Sequence, residues 1–577
     1  MAKSNTRLEL TWIGKDNRPK LEPRILIEDA TKSYHATRRV GDNDLFDNRL
    51  IFGDNLLALR ALEQEFTGKV KCIYIDPPYN TGSAFTHYDD GVEHSLWLSL
   101  MRDRLEILWR LLAEDGALWI NLDDNEGHYA KVLMDELVGR DKFRAGITWQ
   151  RKYSVSNNFK GIASICDYIL VYAKPSFVNN LLPRSQESID RYSNPDGDPR
   201  GPWKAVDYLN QATPEQRPNL CYDIVNPNSG EIIKNTRKAW KYEPEVHEEH
   251  VADNRLWWGQ NGQNSVPALK LFLSEVRNGM TPHNWWPHDE VGHTDEAKKE
   301  QLALIPNDPF GTPKPERLLK RIIELSTKPS DIVLDSFAGS GTTGAVAHKM
   351  GRHWIMVELG EHCHTHIIPR MKQVVDGADE GGITGSVDWR GGGGFRYYRL
   401  APSLIIDDAW GNPVINPEFN AAMLAEAMCK LEGFIFDPNP DMYWQQGRST
   451  EADFIYVTTQ MMTRDMLAKL SDEVGPSRSL LVCCGAFRCD PTPFENLTVK
   501  KIPKAVLKKC EWGHDDYSLE IKNLPTSPES PPENGGHAAQ GNAEIGIQDK
   551  PRPRGRKFGK GKYTGPNLFD RKGAENG

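Results

Sequence analysis

Residues 70–82 read Val70-Lys71-Cys72-Ile73-Tyr74-Ile75-Asp76-Pro77-Pro78-Tyr79-Asn80-Thr81-Gly82. The first six form an apolar run of the kind that makes a buried strand. The next four set one carboxylate, two rigid prolines and an aromatic ring at its carboxyl end. In open α/β sheets that edge is where ligands bind. Two prolines hold the backbone extended and remove two N–H donors, so nearby carbonyls stay free to accept. Acceptors beside an aromatic face suit a flat molecule with an exocyclic amino group, a nucleobase above all. Taken alone, the same four residues are also an ordinary turn after a strand.

A second stretch narrows the choice. Asp331 to Asp335 reads as another short apolar strand, followed by Ser336-Phe337-Ala338-Gly339-Ser340-Gly341-Thr342-Thr343-Gly344 and a helical pattern through Met350. A strand, a glycine turn and a helix make a cofactor loop, because glycine allows close backbone approach and the helix start offers free N–H donors. The turn is neither G-x-G-x-x-G nor a P-loop. A further strand, His353 to Val357, ends at Glu358, and an acid there suits the two hydroxyls of a ribose. This half reads as a nucleoside-cofactor site without a phosphate cradle.

Around these anchors, strands and helices alternate. Leu50 to Phe52 leads through Asp54 into a helix carrying Leu56, Leu59 and Leu62. His94 to Ala113 is a helix with Met101, Leu105, Leu108 and Leu112 on one face. Ala117 to Leu122 is the next strand, then a helix over Glu126 to Leu137 and a strand over Asp167 to Ala173. Pro315 to Thr327 is a helix that buries Leu318, Leu319, Ile322 and Ile323. This rhythm predicts an α/β fold with a doubly wound, mostly parallel, Rossmann-like sheet. We expect an arm at 1–45, one half of the sheet at 46–175, an insertion at 176–305, the cofactor half at 306–400, a smaller C-terminal α/β unit at 401–525 and a basic tail without a core at 526–577. The insertion holds Trp203, Trp240, Trp257, Trp258, Trp285 and Trp286, which suit core packing better than base stacking.

The 577 residues, 38% hydrophobic and 26% charged, are those of a soluble, multidomain chain. No apolar run is long enough for a bilayer. The start lacks a signal-peptide core, and nine scattered cysteines suit a reducing cytoplasm. Net charge is −9, so any contact with phosphates must come from local patches. Candidates are Arg151-Lys152, Lys160, Arg237-Lys238 with Lys241, and the run Arg552 to Lys562. His362-Cys363-His364-Thr365-His366 and Asp123-Asp124 invite a metal reading, but neighbouring positions point to different faces and no further ligands follow at fitting spacing; we expect no metal.

In the order in which it carries DPPY and FxGxG, the chain resembles the amino-group DNA methyltransferases of the β group, which transfer a methyl group from S-adenosylmethionine to adenine N6 or cytosine N4. DPPYNTGSAF, SFAGSGTTGAVA and the run GGGGFRYYRL look most like the modification subunits of type III restriction systems. The likeness covers roughly residues 45–400. It implies that the Asp76 carboxylate and the Pro77 carbonyl take the two amino hydrogens of a flipped adenine, that Pro78 stiffens the turn, and that the Tyr79 ring stacks on the base. It assigns Asp335, Phe337, Gly339, Gly341, Thr342, Glu358 and Lys314 to the cofactor, and Asp54 and Asn80 to the substrate side. Asp54 is equally suited to capping a helix. Residues 176–305 occupy the slot of the target-recognition region. The implied partners are double-stranded DNA, a helicase-nuclease restriction subunit and a second copy of the chain. The alternatives are an N4-cytosine enzyme, although that group more often has Ser in place of Asp76, and a recognition subunit serving a nuclease partner.

Overall fold

Two apolar faces on one sheet organise the molecule. In the computed structural model, which describes residues 9–41, 44–79, 90–155, 160–234 and 237–517, eleven strands share that sheet. In chain order they are β1 (Leu26–Glu28), β2 (Tyr34–His35), β3 (Asn48–Phe52), β4 (Val70–Ile75), β5 (Leu112–Leu122), β6 (Phe143–Gln150), β7 (Cys166–Ala173), β8 (Trp285–Trp286), β9 (Ile332–Asp335), β10 (His353–Glu358) and β11 (Gly394–Leu400). Their spatial order is β1-β11-β3-β10-β9-β4-β5-β7-β6-β8, with β2 also on β11.

Strand side chains alternate between the two faces. Ile73, Ile75, Leu118, Ile120, Leu334 and Ile355 point to one core, shared with helices α1 (Asn55–Phe66), α2 (Asp90–Leu111) and α3 (Gly127–Val138). Cys72, Tyr74, Trp119, Val333, Trp354 and Met356 point to the other, shared with α4 (Glu316–Ser326), α5 (Thr342–Lys349) and α6 (Ile368–Asp376). The sheet is therefore covered on both sides, as the alternating pattern predicts. The six strands from β11 to β5 run parallel. The rest are mixed: β7 is antiparallel to β5 and to β6, and β1 and β2 are antiparallel to β11.

Three features depart from the sequence reading. β6 has no clear mark in the sequence, because Arg144, Gly146 and Thr148 break its apolar run; it is buried only in its second half. The lead-in expected as an arm contributes β1 and β2, strands of three and two residues, too short to show a period. Helix α2 ends at Leu111, and β5 begins at once, before Gly116.

The insertion folds around its own three-stranded sheet, Leu256–Trp257, Ala268–Phe272 and Trp203–Asp207. Trp203, Trp240, Trp258 and Trp286 are buried, while Trp285 is exposed. Its end is bound to β6: Trp149 Nε1 donates to the Gly292 carbonyl at 3.0 Å, and the Arg151 carbonyl accepts from Thr294 N at 3.0 Å. Beyond β11, a five-stranded sheet spans Ile435–Phe436 to Leu497–Lys501. One of its cores also takes in Ile25 from the lead-in. The basic run at 552–562 and the expected tail lie outside the described residues.

Candidate active site

Strands β4 and β9 are parallel neighbours, Leu334 opposite Ile73. From β4 the chain moves outward to β5 through α2; from β9 it moves the other way, to β10, through α5. The winding direction reverses between them, and such a switch point opens a crevice at the carboxyl ends. A cleft of about 680 Å³ lies there, lined by Asp76, Pro77, Pro78 and Tyr79 from one motif and by Asp335 to Ser340, Thr342 and Glu358 from the other. Lys314, Asp54 and Arg104 also line it.

Asp76 is held from three sides. Tyr79 Oη donates to Asp76 Oδ1 at 2.6 Å, Asn121 Nδ2 donates to the same oxygen at 3.3 Å and also to Tyr79 Oη, and Lys314 Nζ pairs with Asp76 Oδ2. The Lys314 ammonium also lies 5.3 Å from the centre of the Tyr79 ring. Burial, with the negative Asp76 beside it, pushes the Tyr79 phenol well above its ordinary value, so it stays a donor. Trp97 Nε1 donates to the Pro78 carbonyl at 2.8 Å and fixes the diproline turn. Asn80 lies outside the described residues.

The glycine turn is braced from beneath. Gly339 and Gly341 both have positive φ, +54° and +75°, and a Cβ on Gly341 would meet the Ile367 side chain at 3.1 Å. Asp335 Oδ1 accepts from Phe337 N at 2.9 Å and Oδ2 from Thr343 Oγ1 at 2.5 Å. Burial pushes its carboxyl up to about 7, against the pull of those two bonds. Glu358 accepts from Gly339 N at 2.8 Å and Gly360 N at 2.9 Å, and His362 sits 2.9 Å from it. Thr342 Oγ1 accepts from the Arg370 guanidinium at 2.8 Å, and the same guanidinium reaches Glu316 at 2.9 Å. Glu316 is also paired with Lys349 at 2.8 Å, and all three are essentially buried. Burial alone would raise the Glu316 carboxyl; Arg370 and Lys349 outweigh it and hold it below the usual value. Because Lys314 precedes Glu316 by two residues, this network ties the glycine turn to the partner of Asp76.

Asp54 is the N-cap of α1. Its Oδ1 accepts from Leu56 N and Leu57 N at 2.9 and 3.1 Å, and its Oδ2 takes Arg104 at 3.2 Å and Tyr517 N at 3.0 Å. Both oxygens thus have partners within the chain, and Asp54 caps the helix while also lining the cleft. Asn55 Nδ2 carries the layer on to the Ser336 carbonyl at 2.8 Å. Asp123 closes a turn onto Asn125 N, and Asp124 accepts from Ser164. His364 is bonded to Tyr397 Oη and His366 to the Asp308 carbonyl.

Five residues in or behind the cleft escape a reading of the sequence alone: Arg104, Asn121, Asp167, Arg370 and, as a cleft residue rather than a surface charge, Arg151. Asn121 carries a signal, a fully buried amide inside the apolar run LWINL. The others are single charges whose meaning appears only when distant elements meet.

The residues present fit a nucleoside cofactor with a charged amino-acid arm. Phe310, Phe337 and Leu359 supply apolar wall, Glu358 an acid, Lys314 a cation, and Ser336 a buried hydroxyl with no hydrogen bond among the described residues. The volume lies within the range of small-ligand sites, roughly 300–1,000 Å³.

Comparison with known proteins agrees with this geometry. The N6_N4_Mtase family model, described as DNA methylase, matches residues 70–369. A probable type III restriction-modification enzyme HindVI Mod subunit from Haemophilus influenzae is 32% identical over 65% of this chain and 56% of its own. The type III StyLTI Mod subunit of Salmonella typhimurium is 33% identical over 58% of this chain and 55% of its own. The type II methyltransferase M.EcaI of Enterobacter cloacae is 30% identical over 61% of this chain and 75% of its own. The matched segments span only about half the length of the two Mod subunits. With both motifs in one cleft and a family match that covers half its length, the chain belongs to the N6/N4 DNA methylase family.

Proposed function

We propose that the protein transfers a methyl group from S-adenosylmethionine to the N6 amino group of adenine in double-stranded DNA. One observation carries the reading: the diproline tip and the glycine turn line one cleft. When bound, the cofactor supplies an electrophilic methyl on a sulfonium. Lys314 and the main chain of Gly339–Thr342 would hold it, with Phe337 against its flat part and Glu358 beside its ribose.

The amine of adenine is a poor nucleophile because its lone pair is delocalised into the ring. The Asp76 carboxylate and the Pro77 carbonyl accept its two hydrogens and turn the lone pair toward the glycine-turn side of the cleft. Tyr79 stacks on the base, and the stacking, worth about 1–3 kcal/mol, offsets part of the cost of flipping it out. Positioning contributes more: holding two reactants in line can lower a barrier by about 7–11 kcal/mol. Asp76 then takes the acidic proton from the methylated nitrogen.

The naming of relatives as Mod subunits of type III restriction-modification enzymes supports a further step. The chain acts as the modification and recognition subunit of such a system, with residues 176–305 reading the DNA, a helicase-nuclease partner and a second copy of itself. Because its relatives are named as restriction-modification enzymes, we place the protein with DNA in the cytoplasm.

The test is nucleoside analysis of duplex DNA incubated with the protein and S-adenosylmethionine. N6-methyladenine is expected; N4-methylcytosine, or no methylated nucleoside, contradicts the reading.

A further inference from the structure

The cleft has a second wall that neither motif supplies. Moving away from the glycine turn, the tips after β4 belong to β5, β7 and β6. Register sets Tyr74 opposite Trp119, Asn121 opposite Ile169, and Trp149 opposite Asp167. Alternation therefore puts Tyr74, Asp76, Asn121, Asp167 and Trp149 on one face of the sheet. Tyr74, Trp149, Asp167 and Arg151 all line the cleft, and the first three are at most 2% exposed.

This wall is polar and incompletely bonded. Arg151 Nε lies 2.7 Å from Asp167 Oδ1, but out of line for a hydrogen bond, so both atoms remain buried without one. Tyr74 Oη is likewise without a partner among the described residues. Buried polar groups are rarely left unpaired. Arg151 is nonetheless fixed. Its N–H donates to the Ile165 carbonyl at 2.9 Å, and its carbonyl accepts from Thr294 N and Oγ1, each at 3.0 Å. These bonds fix its main chain, and the Asp167 ion pair holds its guanidinium at the wall of the cleft.

Adenine offers a matching edge. Its amine donates, and the ring nitrogens on either side of that amine, N1 and N7, accept. Asp76 supplies the acceptor for the amine. Arg151 follows β6, three strands from β4, but its guanidinium rests against Asp167 on β7, two strand spacings from Asp76, about 9.5 Å. A base whose amine meets Asp76 would turn N1 or N7 toward this neighbouring wall, within reach of a guanidinium that extends back over β7.

We propose that Arg151, oriented by Asp167, donates to a ring nitrogen of the flipped adenine and so helps to select the base. The inference rests on the adenine reading above and deepens it. Arg151 is the recognition residue; Asp167 is a positioning residue.

Single-turnover methyl transfer tests it, on a duplex that the wild type methylates, with adenine, 7-deazaadenine or 1-deazaadenine at the target. In the wild type, one analogue should be slower by about 10–100-fold, the worth of a hydrogen bond to a charged group. Arg151→Met should slow adenine by a similar factor and abolish the penalty for that analogue, with affinity for S-adenosylmethionine within about twofold of wild type. Arg151→Lys, which keeps a donor, should recover part of the loss. Asp167→Asn should reduce the penalty without removing it. Penalties that persist unchanged in Arg151→Met, or wild-type rates equal for all three bases, overturn the inference and leave the methyltransferase reading standing. Absence of transfer to any duplex overturns that reading and this inference with it.

Discussion

Asp76 has partners on both oxygens before any base arrives, from Tyr79, Asn121 and Lys314. On the proposed reading, a carboxylate held this way would meet the amine in a fixed orientation, with little reorganisation at the moment of reaction. Asp335 does different work. It braces the turn from a fully buried position, and its folded-state value of about 7 lies above the ordinary 3.8. The folded chain therefore keeps this proton at pH values where the unfolded chain has lost it. The resulting stabilisation is complete below the unfolded value and is lost as pH rises through the folded one. The unfolding free energy of wild type minus that of Asp335→Asn should accordingly decline from about pH 4 to about pH 7. Chemical denaturation across that range measures it; a flat or rising difference contradicts the assignment.

At the scale of elements, the glycine turn depends on α4 and α6. Arg370, from α6, joins Thr342, the first residue of α5 after the turn, to Glu316 at the start of α4. Removing one member of a buried charge network costs about 3–5 kcal/mol, because the others are left uncompensated. Arg370→Met should lower Tm and raise KM for S-adenosylmethionine more than it lowers kcat, since it loosens the turn and leaves Asp76 untouched. A change in kcat alone would count against this role. Such couplings are illegible in the sequence. The apolar runs of β4 and β9 and the glycine spacing are legible, because strand and turn chemistry is local. Arg370 and Glu316 are 54 residues apart and mean nothing until α4 and α6 pack. β6 is hidden for another reason: Arg144 and Gly146 in its first half are exposed, so no continuous apolar run marks it.

Across the whole molecule, the C-terminal segment returns to the catalytic face. Arg24 bonds the His514 carbonyl at 2.9 Å and Asp515 at 2.7 Å, and Arg104 bonds the Tyr517 carbonyl at 3.1 Å. Both arginines are buried. A chain that stops after Gly513 should have a Tm about 3–5 °C below that of a chain that stops after Tyr517, because two buried cations each lose acceptors. Equal Tm for both truncations would refute the docking. The sequence marks 401–525 only as a further α/β unit, since the contacts that bind it, Ile25 in its core and polar residues such as Arg24, join positions far apart in the chain. Convergence of the two motif halves remains the central claim. Its most direct measure is single-turnover transfer by Asp76→Ala alongside equilibrium binding of S-adenosylmethionine to the same preparation. Affinity within about twofold of wild type is expected, with transfer to DNA slowed by at least roughly 10³-fold. Transfer at the wild-type rate, with the cofactor bound, would contradict it.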